Sequence, residues 1–314
     1  MKDLSLFVSV GTLVILLGYI TYRGGNEHVE PGAISDEEVA LDEVEEPQEE
    51  AFPVPAISLD LPTEASFAGE PVPLNDPDVK ERFDREIQVN TYTHSNTLFL
   101  IKRANRWLPQ IDSILKKNGI PDDFKYLPLI ESALINDVSP KEAVGFWQIL
   151  KGSGKELGLE ITKEVDQRYD PLKSTEAACK YLKQAYARFG NWTLAAASYN
   201  RGQFGLDKSV DNQQVKSYYD LYLNDETARY VFRILAIKEI IEHPRKYGFV
   251  TQASHLYNRE PVRHVRVTET IKNLITFSKE QGINYKLLKR HNPWLRDEKL
   301  TVKKGKSYSI AIPI

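Results

Sequence analysis

One cysteine and one methionine occur in 314 residues. A lone Cys179 excludes an intrachain disulfide framework and a cysteine-rich zinc site. Its setting, "STEAACKYLKQAYARFG", reads as a helix, so Cys179 is expected to be a small buried core residue rather than a nucleophile. Six scattered histidines show no HExxH or comparable spacing, so neither a metal nor another cofactor is expected. Lys and Arg are absent from residues 24–79, which hold 16 Asp and Glu. Residues 80–314 therefore carry a net charge of +12, against −3 for the whole chain. A basic body behind an acidic segment suits a polyanionic partner. Nucleic acid is not the expected one, because no recognition motif or aromatic–basic patch is present.

Long apolar runs are scarce as well. Leu4 to Ile20 is the one uncharged, mostly apolar stretch, with Arg23 after it. It sits at the short limit for a membrane-spanning helix, exceeds a usual signal-peptide core, and has no A-x-A cleavage site after it. An uncleaved transmembrane signal anchor over 4–22 is expected. Residues 23–82, rich in Glu, Asp and Pro, are expected to form an open acidic linker.

From about Phe83 to 250 the periodicity turns helical. "NTLFLIKRANRW" places Leu98, Ile101 and Ala104/Asn105 on one stripe. Pro109 is expected to begin a new helix closed by Gly119. "PDDFKYLPLIES" opens with acids suited to a helix start, giving a helix near 122–133 with Ser132 as a local cap. Ser174 or Thr175 is expected to cap the next helix, and Gly190 to end it. "NWTLAAASYNRG" and "DETARYVFRILAIKEIIEHP" are two more helices, stopped near Gly202 and Pro244. Helices on short loops argue for an all-α domain. Residues 255–314 read as strand, helix, helix, loop, strand, a small α+β module with strands at His264–Val267 and Ser307–Ile312.

"LPLIESALIND" (127–137) sets one carboxylate, Glu131, among apolar residues. Two readings stand: a solvated face of an amphipathic helix, or a carboxyl whose pKa rises in apolar surroundings so that it donates a proton near neutrality. "YLPLIESAL" (126–134), "SPKEAVGFWQI" (139–149), "DQRYDPLKSTEAACKYL" (166–182), "AASYNRG" (196–202) and "DETARYVFRILA" (225–236) decide between them by their order and spacing. Together they resemble the soluble-type lytic transglycosylases (a goose-lysozyme-like family), especially the membrane-bound D-type branch. The resemblance implies a mainly α, lysozyme-like catalytic domain and cleavage of the β-1,4 bond between N-acetylmuramic acid and N-acetylglucosamine in peptidoglycan glycan strands. A 1,6-anhydromuramic end would form, with one Glu as acid and then base and help from the substrate's 2-acetamido group.

Carried onto this chain, the resemblance makes Glu131 the acid/base and Ser139, Gln148, Tyr199, Asn200 and Tyr230 the substrate-facing residues. Trp147 is expected in the core, and Asp170 at a turn and cap. The resemblance also implies an inner-membrane protein with its catalytic domain on the periplasmic or cell-wall side. The chain departs from the family pattern in four places. The Glu131–Gln148 spacing is one residue short, "LIND" replaces F-x-P, Glu142 stands for a small residue or Gly, and Ser198 stands for Ala. Glu142 and Asp137 are the candidate second carboxylates for a hydrolytic, lysozyme-type alternative. A catalytically silent peptidoglycan-binding scaffold is the other. "VTETIKNLITFSKEQGINYKLLKRHNP" and "KGKSYSIAIP" resemble a degenerate LysM, a peptidoglycan-binding repeat, with "TET" where G-D-T is usual.

Overall fold

The computed structural model describes residues 57–314. The expected anchor over 4–22 and the first part of the expected linker lie outside these residues. Among the described residues no helix is long and apolar enough to cross a membrane. The expected open linker does not reach 82. From Ile57 onward the chain is laid on the helical body, and β1 (Ser66–Phe67) and β2 (Glu70–Pro71) form a short antiparallel hairpin. Acid-rich composition concealed this because the segment carries apolar residues at a few decisive positions. Phe67 and Val72 are buried, and Phe67 meets Phe124 edge-on with ring centroids 5.1 Å apart. Two carboxylates, one on the hairpin and one on the body, tie the segment down. The Glu70 carboxylate accepts from the Trp192 and Thr193 amides at 2.6 and 2.9 Å. Asp123 accepts from the Ala68 amide and from Lys238.

Helix α1 (Pro77–Tyr92) follows, capped by Asp76, whose side chain accepts from the Asp78 and Val79 amides, with Pro at its first position. Helix α2 (His94–Lys117) is continuous through Pro109, and no new helix begins there. A proline costs the helix one donor, and burial on both sides of it outweighs that loss: Leu100, Ile101 and Ala104 before it, Ile111 and Leu115 after it. The buried stripe thus differs from the expected one, with Leu98 only partly buried and Asn105 exposed.

A tight helical turn over Asp122–Tyr126 leads into α3 (Leu127–Ser132). Pro128 cannot donate to the preceding turn, which explains why the expected single helix is split. Helix α4 (Lys151–Glu156) is short. Helix α5 (Pro171–Phe189) is capped by Asp170, not by Ser174 or Thr175, whose hydroxyls donate back to carbonyls of the first turn; Gly190 at φ 65° ends it. Helices α6 (Trp192–Arg201), α7 (Gln203–Gln213) and α8 (Asp225–Glu242) complete the body. Its core includes Trp147, Tyr126, Tyr230, Phe83 and Phe124, all fully buried. Cys179 lies in this core as well.

The C-terminal module runs β3 (Val262–Val267), α9 (Leu274–Glu280), α10 (Tyr285–His291) and β4 (Tyr308–Pro313). The two strands pair antiparallel, with Val265 opposite Ile310. The module's core, Leu274, Leu288, Leu295, Leu300, Ile310 and Ile312, also takes in Val165 from the helical body. A bridge between Val165 and Leu295 and a bond from the Asp166 amide to the Trp294 carbonyl (2.9 Å) join the two backbones there. The expected strand positions agree within two residues.

Candidate functional site

Helix α3 has only six residues and ends early. Ala133 and Leu134 both take left-handed φ values, 53° and 55°, so the chain turns away directly after Ser132. Glu131 is thereby carried on the last turn of a short helix, and the carbonyls of that turn lack helical partners. Two guanidinium groups supply them. Arg233 Nη2 donates to the Ile130 carbonyl at 2.9 Å, and Arg103 Nη1 donates to the Ala133 carbonyl at 3.2 Å. Ser132 does not cap the helix. Its hydroxyl lies within hydrogen-bonding distance of the Pro128 and Phe146 carbonyls, tying α3 to the following loop.

Glu131 lines a cleft of about 640 Å³. Its walls come from α3, from α8 through Arg233 and Ile237, and from Ser139 and Gln148. Asn96, Phe99 and Arg103 of α2 form the facing side. The Tyr230 hydroxyl donates to Glu131 Oε1. Burial is the largest influence on Glu131 and raises its pKa; the Tyr230 bond and the Arg233 charge oppose it, and the Glu226 charge adds to it. The net direction is upward, so the site holds a proton more strongly than an exposed glutamate does. This favours the proton-donor reading of Glu131 over the solvated-face reading.

The loop carrying Gln148 is fixed from below. Ser139 and Ala143 share two bonds: the Ser139 amide donates to the Ala143 carbonyl at 2.9 Å, and the Ala143 amide donates to the Ser139 side-chain Oγ at 3.1 Å. Gly145 takes φ 81°, and a Cβ there would stand 2.1 Å from the Arg168 carbonyl oxygen. Arg168 is buried with Asp166 (2.7 Å) and also donates to the Glu142 and Ile149 carbonyls. Gln148, at φ 46°, spends its amide N–H groups on the Asp137 and Gly145 carbonyls. Its side-chain oxygen remains as the acceptor.

The expected site residues therefore separate into two groups. Glu131, Ser139 and Gln148 line the cleft, and Tyr230 lies behind Glu131 as its hydrogen-bond donor. Tyr199 and Asn200 are not among the cleft-lining residues. The Tyr199 hydroxyl donates to the Trp147 carbonyl at 2.7 Å, which braces the Gln148 loop. Asn200 bridges to α8, donating to Glu226 at 2.9 Å and accepting from Thr227 at 2.7 Å. These bonds are made within the protein, and the Tyr199 phenol is pushed up first by burial and then by the Glu131 charge.

Of the two candidate second carboxylates, Asp137 lines the cleft and Glu142 does not. Glu142 is exposed at φ 60°, a backbone region that glycine adopts without the Cβ penalty. Sequence reasoning missed Arg103, Arg233 and Phe99. Arg233 follows Tyr230 by three residues on α8, hence on the same face, and that spacing was a usable signal. Phe99 and Arg103 were hidden because α2 was read only for its apolar stripe. Among the described residues no group of three or more His, Cys, Asp or Glu is placed to hold a metal ion.

Comparison with known proteins bears on the domains that carry this cleft. Residues 111–221 match the transglycosylase SLT domain, and residues 263–314 match the soluble lytic transglycosylase C-terminal LysM-like domain. The membrane-bound lytic murein transglycosylases D of Escherichia coli K12 and of Escherichia coli O6:H1 are each 29% identical over 192 residues, covering 58% of this chain and 42% of the relative. The chain thus spans less than half the length of these curated relatives. Glu131, Ser139 and Gln148 lie inside the first matched segment, whereas Arg103, Tyr230 and Arg233 lie outside it. The chain carries an SLT transglycosylase domain followed by a LysM-like C-terminal domain.

Proposed function

We propose that this protein is a peptidoglycan lytic transglycosylase with Glu131 as its acid/base. The observation that carries the reading is the Glu131 carboxyl, its pKa raised by burial, set in a cleft on an SLT domain. Protonated Glu131 gives its proton to the glycosidic oxygen as the bond from that oxygen to C1 of N-acetylmuramic acid breaks. The resulting carboxylate then takes the proton of the sugar's 6-hydroxyl, whose oxygen bonds to C1. A 1,6-anhydro end forms and Glu131 is again protonated. Tyr230 holds the carboxyl in place and supports its ionised form between the two steps. Gln148 presents an acceptor and Ser139 a hydroxyl towards the sugar, while Tyr199 and Asn200 keep the surrounding loop and helices in register. The proposed setting is the cell envelope, with an anchor at 4–22 and catalysis on the outer side of the inner membrane.

One observation favours a hydrolytic alternative: Asp137 supplies a second carboxylate along the same cleft, as an ordinary two-carboxylate glycosidase requires. Mass spectrometry of fragments released from purified peptidoglycan separates the readings. Anhydro ends from the parent chain, and none from Glu131→Gln, are expected. Reducing ends would assign hydrolysis. Release by Glu131→Gln at the parent rate would remove Glu131 from the chemistry.

A further inference from the structure

Helix α2 does more than wall the cleft. Phe99, Arg103 and Trp107 follow one another at four-residue intervals and so share a face. Phe99 and Arg103 belong to the Glu131 cleft. Trp107, with Arg106 and Gln110 beside it, lines a second cavity of about 290 Å³ where the helical body meets the C-terminal module. Eight residues of helix separate Phe99 from Trp107, about 12 Å along the axis. The loop after α3 also borders both spaces, Ile135 and Asp137 on the cleft and Asn136 on the second cavity. The two are neighbours along one rail.

The second cavity has the make-up of a ligand site. Trp107 and Trp294 contribute aromatic surface, and Gln110 and His264 contribute planar polar groups. Such a mixture suits the apolar face and the hydroxyl rim of a pyranose. Its charge is unbalanced. Arg290 is paired with Glu260, and Asp170 is committed to capping α5. Arg106 and Arg259 have no carboxylate partner among the described residues. Arg106 is held in place by the Asn258 carbonyl at 3.0 Å and lies over the Tyr257 ring. The cleft repeats this pattern, because exposed Phe99 lies beneath the guanidinium of Arg103 at 5.6 Å, and Arg103 likewise has no carboxylate partner there. Guanidinium groups beside aromatic faces, each with N–H groups still unspent after one bond to a carbonyl and with no carboxylate partner, bind carboxylates in a fixed orientation.

We infer that the cavity between the helical body and the C-terminal module is a second saccharide subsite, taking an anionic, carboxylate-bearing segment of the same glycan strand whose bond lies at Glu131. The inference rests on the glycan reading of the Glu131 cleft. Its distinct consequence is length dependence. A strand that occupies both places binds the second at high effective concentration once it holds the first. The C-terminal module then serves the enzyme through the cavity it closes with α2.

The test uses the full chain as Glu131→Gln, so that no probe is consumed. Two probes are titrated by calorimetry: the unmodified tetrasaccharide of alternating N-acetylglucosamine and N-acetylmuramic acid, and uncrosslinked, stem-bearing glycan strands several times longer. The strands are expected to bind on the order of tenfold more tightly than the tetrasaccharide. Adding Arg259→Ala and His264→Ala, both exposed positions, is expected to abolish that difference. A difference that survives both substitutions, or no difference in the parent, overturns the second subsite. If the tetrasaccharide fails to bind while strand binding still depends on Arg259 and His264, the Glu131 cleft reading falls and the junction site stands.

Discussion

Tyr230→Phe isolates the interaction on which the acid/base reading depends. Tyr230 is 1% exposed, and its hydroxyl donates to Glu131. Phenylalanine fills the same volume, so no cavity is created. With Glu131 protonated, the loss is that of a neutral hydrogen bond, about 0.5–1.5 kcal/mol; with Glu131 ionised it is that of a bond to a charged group, about 1.5–3 kcal/mol. The variant is therefore less stable at every pH, and its deficit grows by about 1 kcal/mol as Glu131 ionises. The direction follows from linkage. Glu131 has a raised pKa in the folded protein, so its contribution to stability is fully present below the unfolded-state pKa and is lost as pH rises through the folded-state pKa. Removing Tyr230 raises the folded-state pKa further and makes that loss larger. Urea unfolding of the parent and Tyr230→Phe across a pH series reads this, with both repeated on Glu131→Gln, where the growth of the deficit with pH should vanish. A deficit that is the same at all pH values, or one that persists unchanged in its pH dependence on Glu131→Gln, would refute the coupling.

Three further perturbations have defined outcomes. Gly145→Ala places a methyl group 2.1 Å from the Arg168 carbonyl oxygen at φ 81°, and should cost more than about 2 kcal/mol in unfolding free energy while lowering activity through the displaced Gln148 loop; wild-type stability would contradict the described loop. Glu70→Ala removes the acceptor of the Trp192 and Thr193 amides at the start of α6, for an expected loss of about 2 kcal/mol by denaturant titration, which an open linker in this region would not show. Cys179 is buried with its thiol pushed up to about 12, so an aromatic disulfide reagent should leave it unlabelled until the protein unfolds; fast labelling of the folded chain would contradict its place in the core.

What the sequence determined by itself was local and patterned. Helical periods, the α6 and α8 boundaries, the Gly190 stop and the two strands of the C-terminal module follow from near-neighbour geometry. The short motifs around Glu131 and Gln148 stood out through their resemblance, in order and spacing, to a family pattern. Tertiary structure alone decided the questions that depend on distant partners. Burial on both sides let α2 pass through Pro109, and a few apolar anchors with Glu70 pulled an acidic segment onto the body. The proton-holding strength of Glu131 comes first from burial, then is set by Tyr230 and Arg233 against it and Glu226 with it, all from a helix about a hundred residues later. Tyr199 and Asn200 left the list of cleft residues for a similar reason: a side chain's type shows what it can bond, and only the packed neighbours settle where that bond goes.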